Sequence, residues 1–354
     1  MKRREFLKIT GLSFFFSNLR WKQVLAEKLI YKEVELIYKA NFPFEDKKVR
    51  LWVPLPMNTS FQHLNTLEIK GSFSSSQITH EKIYETPIFY AEFGRGAPKY
   101  LELKMKIALF GRKPVNFSKL PPNNKAIPEE VKIFLRPTQH IPIDGVVKET
   151  ARRIIQGKRT DLEKVKAIYN WVVENTYRDP RVKGCGVGDA GKALESGTLG
   201  GKCTDISSIF VALCRAAGIP AREIFGLRVL PSELALSISN VKGDATMAQH
   251  CKAEFWLNGW IPADPADVRK FMLEEKIQKV DDPRVKRIKE FLFGGWDNHW
   301  VMFNYARDFV LEPPPTTHEP INEFMYPQAE VDGKLLDKLE VTFEYSKYEV
   351  KTLN

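Results

Sequence analysis

The sequence predicts an α+β fold in which an antiparallel β-sandwich domain precedes a core of mixed helices and strands. Three observations predict it. Residues 29–119 run in short apolar or alternating stretches broken by Pro54, Pro56, Gly71, Gly94 and Gly96; residues 160–175 place apolar side chains at helical spacing; and Asn258–Gly259 sits between two strand-like runs. At 354 residues the chain is long enough for two domains of about 100–200 residues each. A hydrophobic share of 43% and a charged share of 28% belong to a chain that folds, and they exclude a disordered or low-complexity one.

Residues 1–26 read as a targeting segment. Lys2, Arg3, Arg4 and Lys8 precede an apolar stretch over residues 9–19 that carries Phe14, Phe15 and Phe16. Eleven helical residues span about 16 Å, roughly half a bilayer's hydrocarbon core, so the stretch targets and does not span. The string from Arg3 to Lys8 resembles a twin-arginine export signal, with Lys2 where that signal usually has Ser or Thr. The resemblance implies passage through the twin-arginine export machinery, cleavage near Ala26 and a periplasmic protein with no stable membrane span after processing. These 26 residues also hold half of the net charge of +10, and the rest of the chain mixes both signs, which argues against nucleic-acid binding.

The β domain is expected over residues 27–120. Tyr31 to Tyr38, Val49 to Val53 and Leu101 to Ile107 alternate or run apolar, as strands with one inward face do. Pro121, Pro122, Pro128, Pro137 and Pro142 interrupt regular structure repeatedly, so residues 121–144 read as a linker. The core is expected over residues 145–312. Thr160 and Glu163 form a capping box, and Leu162, Val165, Ile168, Tyr169, Val172 and Val173 follow on one helix face. Glycines crowd residues 184–201 and read as a loop leading to Cys203. Ile206, Ile209, Phe210, Leu213, Cys214 and Ala217 mark the next helix, which Gly218 and Pro220 end. Cys203 thus falls at a helix N-terminus, and Cys214 reads as a core residue. The hairpin around Asn258–Gly259 brings His250, placed before its first strand, beside Asp264, placed after its second. Residues 313–354 form a proline-rich tail in which the alternation from Leu339 to Tyr345 reads as a terminal strand closing a sheet edge.

A thiol attacks only as thiolate, and a free one with pKa near 8.5 is about 3% ionised at neutral pH. A helix N-terminus supplies about 0.3–1 kcal/mol, whereas lowering the pKa by about two units requires roughly 2.7 kcal/mol. A histidine is therefore needed beside Cys203, with a carboxylate to fix its tautomer. The segments Gly201-Lys-Cys203-Thr-Asp205, Leu213 to Arg222, His250-Cys-Lys-Ala-Glu-Phe255 and Trp260-Ile-Pro-Ala-Asp264-Pro265 resemble the transglutaminase-like superfamily in its bacterial cysteine-hydrolase branch. The likeness covers about residues 150–312, and Leu51-Trp-Val-Pro-Leu-Pro56 resembles the β domain that often precedes that core. It implies a papain-like core, Cys203 as nucleophile, His250 as general base then acid, Asp264 as the orienting carboxylate, and acyl transfer through a thioester with the Cys203 N–H as one oxyanion donor. Trp171 and Tyr177 are candidates for the second donor. The implied substrate is a peptide or protein amide bond, cleaved by hydrolysis. Transamidation shares the intermediate, and a non-catalytic scaffold binding peptide or cell wall is the alternative of another class.

Other readings stay open at this stage. Asp267 competes with Asp264 as orienting carboxylate. Cys185 and Cys251 could pair in a disulfide. His299, among aromatics and without an identifiable partner, reads as packing, and Arg222 reads as a structural salt bridge. Cys-x-x-Cys and His-x-x-x-His pairs, Walker motifs and dinucleotide fingerprints are absent from the sequence, so no metal and no cofactor are predicted.

Overall fold

A computed structural model describes residues 31–120, 126–240 and 243–353. The expected signal segment with its cleavage site near Ala26 lies outside these residues. The chain opens with six strands, β1 (Tyr31–Phe42), β2 (Val49–Pro54), β3 (Gln62–Gly71), β4 (Ser75–His80), β5 (Pro87–Phe93) and β6 (Lys99–Phe110). A run of helices and short strands follows: α1 (Glu129–Lys132), α2 (Gly145–Ile155), α3 (Asp161–Asn175), β7 (Tyr177–Arg178), α4 (Ala190–Ser196), β8 (Gly200–Gly201) and α5 (Cys203–Ala216). Next come β9 (Ala221–Arg228), β10 (Gln249–Trp256), β11 (Trp260–Ala263), α6 (Pro265–Glu274), α7 (Pro283–Phe291) and β12 (Trp300–Asn304). The chain closes with β13 (Arg307–Phe309), β14 (Ile321–Glu323), β15 (Gln328–Val331), β16 (Lys334–Leu335), α8 (Lys338–Phe343) and β17 (Ser346–Thr352).

Two antiparallel sheets built from both ends of the chain pack together. One has the order β17-β1-β6-β3 and the other β16-β15-β2-β5-β4. The alternation read from the sequence is what builds them: in β6, Leu101, Leu103, Met105 and Ile107 are buried while Glu102, Lys104 and Lys106 face outward. These residues share one apolar cluster with Leu51, Val53 and Phe89 of the other sheet. The C-terminal residues are therefore integral to the β region, with Val34 of β1 opposite Thr352 of β17 and Trp52 of β2 opposite Gln328 of β15.

The second sheet system has the order β11-β10-β9-β12. Helix α5 packs against it, and its residues from Cys203 to Arg215 are almost all buried. Apolar residues on more than one side of this helix suit an element surrounded by α2, α3, α4, α6 and the sheet. The capping box of α3 forms as predicted, with Glu163 N–H donating to Thr160 Oγ1 at 3.2 Å and Thr160 N–H to Glu163 Oε2 at 2.9 Å.

Several expectations need correction. Residues 338–343 are helix α8 and not a strand: the Asp337 carboxylate accepts from Leu339 N–H at 2.7 Å, and this cap outweighs the short alternation, so the terminal strand begins at Ser346. The glycine-rich stretch contains helix α4, capped by Asp189. In the predicted linker, Glu129–Lys132 is helical and continues into a tight turn, burying Val131 and Phe134. The β10–β11 connection is a three-residue loop in which Asn258 takes φ 57°, and His250 lies within β10. Among the described residues no helix is long and apolar enough to cross a membrane.

Candidate active site

Three local devices set the positions of Cys203, His250 and Asp264. Cys203 is the first residue of α5, and Asp205 fastens that helix start: its carboxylate accepts from Lys202 N–H at 2.9 Å and from Gly188 N–H at 2.8 Å. Gly186 takes φ 89°, and a Cβ there would stand 1.9 Å from Asp205, so only glycine lets the loop approach. His250 is fixed by β10, where it faces Gly226 of β9, and its carbonyl accepts from Trp300 Nε1 at 2.9 Å. Asp264 is the N-cap of α6, with Pro265 in the first turn.

Asp264 uses its two oxygens differently. Oδ1 accepts the Asp267 N–H at 2.9 Å and so caps the helix. Oδ2 meets His250 Nε2 at 2.8 Å and also accepts from Lys252 Nζ at 2.9 Å. Asp267, the sequence's competing carboxylate, also reaches His250 Nε2, at 3.3 Å, and is paired with Arg228. Both carboxylates therefore face the imidazole, with Asp264 the nearer. Lys252 and Arg228 neutralise the two acids, leaving His250 and Cys203 as a pair that is neutral overall whether or not a proton has moved between them.

The electrostatics favour the charged form of that pair. Burial and the nearby Arg228 guanidinium pull the His250 pKa down, but the Asp267 and Asp264 carboxylates prevail and raise it from 6.5 to about 9. Burial pushes the Cys203 thiol up, yet the neighbouring Cys185, Cys251 and His250 side chains hold it well below its ordinary value. Asp267 is held well below the usual carboxylate range, against its burial, by Arg228 and His250. With Nε2 given to Asp264, Nδ1 is the ring nitrogen left for Cys203. Cys203 is 1% exposed and His250 and Asp264 are 0% exposed, so an external reagent reaches the sulfur only after some part of the surrounding chain opens.

His250, Asp264 and Asp267 offer atoms within 4.8 Å of one another, a spacing a cation could bridge. Their oxygens are instead engaged by Lys252, Arg228 and a helix N–H, which makes the group a set of ion pairs.

The remaining sequence candidates distribute as follows. Cys214 is buried in the core, and all four cysteines are free, so Cys185 and Cys251 do not form the disulfide considered above. Arg222 makes the structural ion pair expected of it, with Glu254 at 2.6 Å. His299 is buried as expected but does have a partner: Nδ1 bonds Asp297, whose other oxygen accepts from Ser232 Oγ at 2.6 Å. Tyr177 pairs in β7 with Gly200, three residues before Cys203, while Trp171 stays on α3. Sequence reasoning missed Lys252 and Arg228. Lys252 was within reach, because it lies two residues after His250 on one strand and so shares its face. Helix α6 was also signalled, by Asp264-Pro265 as cap and first residue.

A family model described as the transglutaminase-like superfamily matches residues 148–265, the segment that runs from α2 through all three site residues. The chain belongs to the transglutaminase-like superfamily. A relative of this superfamily member, an uncharacterized protein of Haemophilus influenzae, is 41% identical over 317 residues, covering 84% of this chain and 85% of that one. The overall fold, the transglutaminase-like core together with the antiparallel sheets around it, is similar to a solved structure: the crystal structure of a candidate cysteine protease from Cytophaga hutchinsonii superposes with a TM-score of 0.54 at 13% identity, covering 92% of this chain and 91% of that one. The periplasmic domain of TgpA from Pseudomonas aeruginosa matches at a TM-score of only 0.34 and 14% identity, over 72% of this chain and 92% of that one, too slight a likeness to bear on function.

Proposed function

We propose that this chain is a thiol enzyme that hydrolyses amide bonds of peptides or proteins, with Cys203 as nucleophile, His250 as base then acid, and Asp264 as the orienting carboxylate. The observation that carries this reading is the His250 Nε2–Asp264 contact at 2.8 Å inside a balanced set of buried charges, with the other ring nitrogen left for a thiol whose pKa its surroundings lower. The Cys203 thiolate attacks the carbonyl carbon, and negative charge moves to the carbonyl oxygen, towards the N–H groups at the start of α5. The imidazolium then gives its proton to the leaving amine, so the C–N bond breaks and a thioester remains. Water attacks the thioester as neutral His250 takes a proton from it, and the acid leaves with the thiol restored.

Hydrolysis is favoured over transamidation because the sulfur is enclosed: water enters through a smaller opening than an amine carried on a second protein. The name of the Cytophaga hutchinsonii structure leans the same way. The same proposal takes residues 1–26 as a twin-arginine signal removed near Ala26 and the mature chain as periplasmic, which N-terminal sequencing of the exported protein tests directly.

The decisive experiment is the alkylation rate of Cys203, read by mass spectrometry from about pH 5 to 9, in the native chain and in His250→Ala. The native rate is expected to level off well below pH 8. Loss of the imidazolium should lower the rate at about pH 6 by roughly 10- to 100-fold, one decade for each pKa unit lost. A native Cys203 that titrates as a free thiol would refute the proposal and leave a binding scaffold in its place.

A further inference from the structure

One oxygen of Asp264 serves two donors. Oδ2 accepts from His250 Nε2 at 2.8 Å and from Lys252 Nζ at 2.9 Å, and all three side chains are 0% exposed. Asp267 joins the same group: its Oδ2 lies 3.3 Å from His250 Nε2 and 3.9 Å from Lys252 Nζ, and its Oδ1 is paired with Arg228. Two indoles also hold the ammonium, whose nitrogen lies 5.6 Å from the ring centre of Trp296 and 5.8 Å from that of Trp300. Trp300 is in turn fixed to the histidine strand. Its Nε1 donates to the His250 carbonyl at 2.9 Å, and its indole fills the place of a side chain at Gly226, the residue opposite His250, where a Cβ would stand 2.6 Å from the ring.

A carboxylate oxygen has two lone pairs, so an ammonium on one leaves the other for the imidazole N–H, and orientation is kept. The charge balance is where the ammonium matters most. Asp264 and Asp267 carry two negative charges and Lys252 and Arg228 two positive ones, so the set is neutral without His250. A proton on the imidazole is then matched by the Cys203 thiolate. Once the sulfur is acylated that match is gone, and His250 can release the proton and take another from water. Without Lys252 the set would keep one negative charge in a fully buried place, and the imidazolium would become its permanent counter-charge. A histidine locked in that form is well oriented but accepts no proton.

We infer that Lys252 is a positioning residue for His250: by sharing Asp264 Oδ2 it keeps the imidazole oriented yet leaves its proton free to depart during hydrolysis of the thioester. The inference rests on the thiol-enzyme reading above and gives its base step a fourth residue. The other charged and titratable groups facing this set come from every element packed around it. They are Cys203 on α5, Arg228 on β9, Asp264, Asp267 and Lys270 at α6, Tyr169 on α3, and the Asp297–His299 pair before β12. Lys252 is the cation that shares the acceptor oxygen of His250, whereas Arg228 is bonded to the other carboxylate.

The test follows the His250 ring by NMR in the full chain with isotope-labelled histidine, its signal assigned by loss in His250→Gln. The native protein, Lys252→Met and Lys252→Arg are titrated from about pH 5 to 10. The native imidazolium is expected to lose its proton near pH 9. Lys252→Met should hold it through about pH 10, a midpoint raised by about one to two units, and Lys252→Arg, which keeps the charge, should restore the native value. A native midpoint in Lys252→Met, or an arginine variant that titrates like the methionine one, would overturn the inference. If Lys252→Met does not fold, the comparison moves to the Asp267→Asn background, where removing the ammonium leaves one acid and one guanidinium. There Lys252→Met should raise the midpoint by about one unit over Asp267→Asn alone, and equal midpoints would overturn the inference. Alkylation of native Cys203 separates this outcome from failure of the enzyme reading. A Cys203 that titrates as a free thiol removes that reading and the inference with it, whereas an activated Cys203 beside a His250 midpoint indifferent to Lys252 removes the inference alone.

Discussion

Strand β10 carries two buried polar clusters on one face, and they are finished differently. Towards its C-terminal end, Glu254 accepts from Arg222 at 2.9 and 2.6 Å and is paired with Arg112. Both guanidiniums are sandwiched by aromatic rings, Arg222 by Trp260 and Tyr305 at 3.9 and 4.2 Å and Arg112 by Trp296 and Phe61 at 4.6 and 4.8 Å. Two positive charges on one carboxylate, stacked on flat surfaces, leave that cluster no alternative arrangement. At the other end His250 and Lys252 share a single oxygen of Asp264, while buried His250 Nδ1, Asp267 Oδ2 and Arg228 Nε have no hydrogen-bond partner. Open valences of this kind in a buried site signal a place where a proton or a substrate is to be received. The first cluster holds the fold, and the second is poised for chemistry.

The comparison can be broken from either side. Glu254→Gln should cost the most stability, about 3–5 kcal/mol in chemical denaturation, because two guanidiniums lose their buried counter-charge. The same variant should leave the pH midpoint of Cys203 alkylation where it was. A shift in that midpoint would show that the two ends of β10 are one coupled unit.

A smaller effect is expected from pH. His250 has its folded pKa raised from 6.5 to about 9, so the proton it holds stabilises the native state fully below about pH 6.5, and this contribution is lost as pH rises towards 9. Urea denaturation across that window should show stability falling more steeply in the native chain than in His250→Gln. Taking the difference between the two removes the contributions of Glu223, raised to about 7, and Lys270, lowered to about 8. Equal slopes would mean that His250 is not the imidazolium inferred here. Least affected is the surface: breaking the exposed Arg95–Asp332 pair, 2.8 Å apart, with Arg95→Ala should change stability by no more than about 0.5–1 kcal/mol.

Much of this was legible in the sequence, for local reasons. The α3 capping box, the Cys203 helix start and the alternating strands of the β region depend on near neighbours, and they form as read. What the sequence hid depends on distant partners. Arg228, at the end of β9, meets Asp267 of α6 from 39 residues away. The thiols of Cys185 and Cys251 were considered for each other because oxidised pairs are the usual fate of exported cysteines, whereas the fold gives each an oxygen acceptor of its own, the Gln249 carbonyl and Thr204 Oγ1. Residues 339–345 misled because a six-residue helix is too short for its pattern to differ clearly from strand alternation, so the Asp337 cap decides it.

The pairing of β17 with β1 also bears on time. Lys39 meets Glu349, a partner 310 residues further along the chain. At the usual synthesis rate of about 5–20 residues per second, the first strand waits tens of seconds before the strand that covers its edge exists. Until then β1 presents a free edge, and any contact it makes must be with β6, a chaperone or another copy of itself. The yield of correctly assembled molecules is thus set partly by how long the earliest-made strand can be kept from pairing elsewhere, and it should respond to chain concentration and to the pace of translation as well as to the stability of the finished fold.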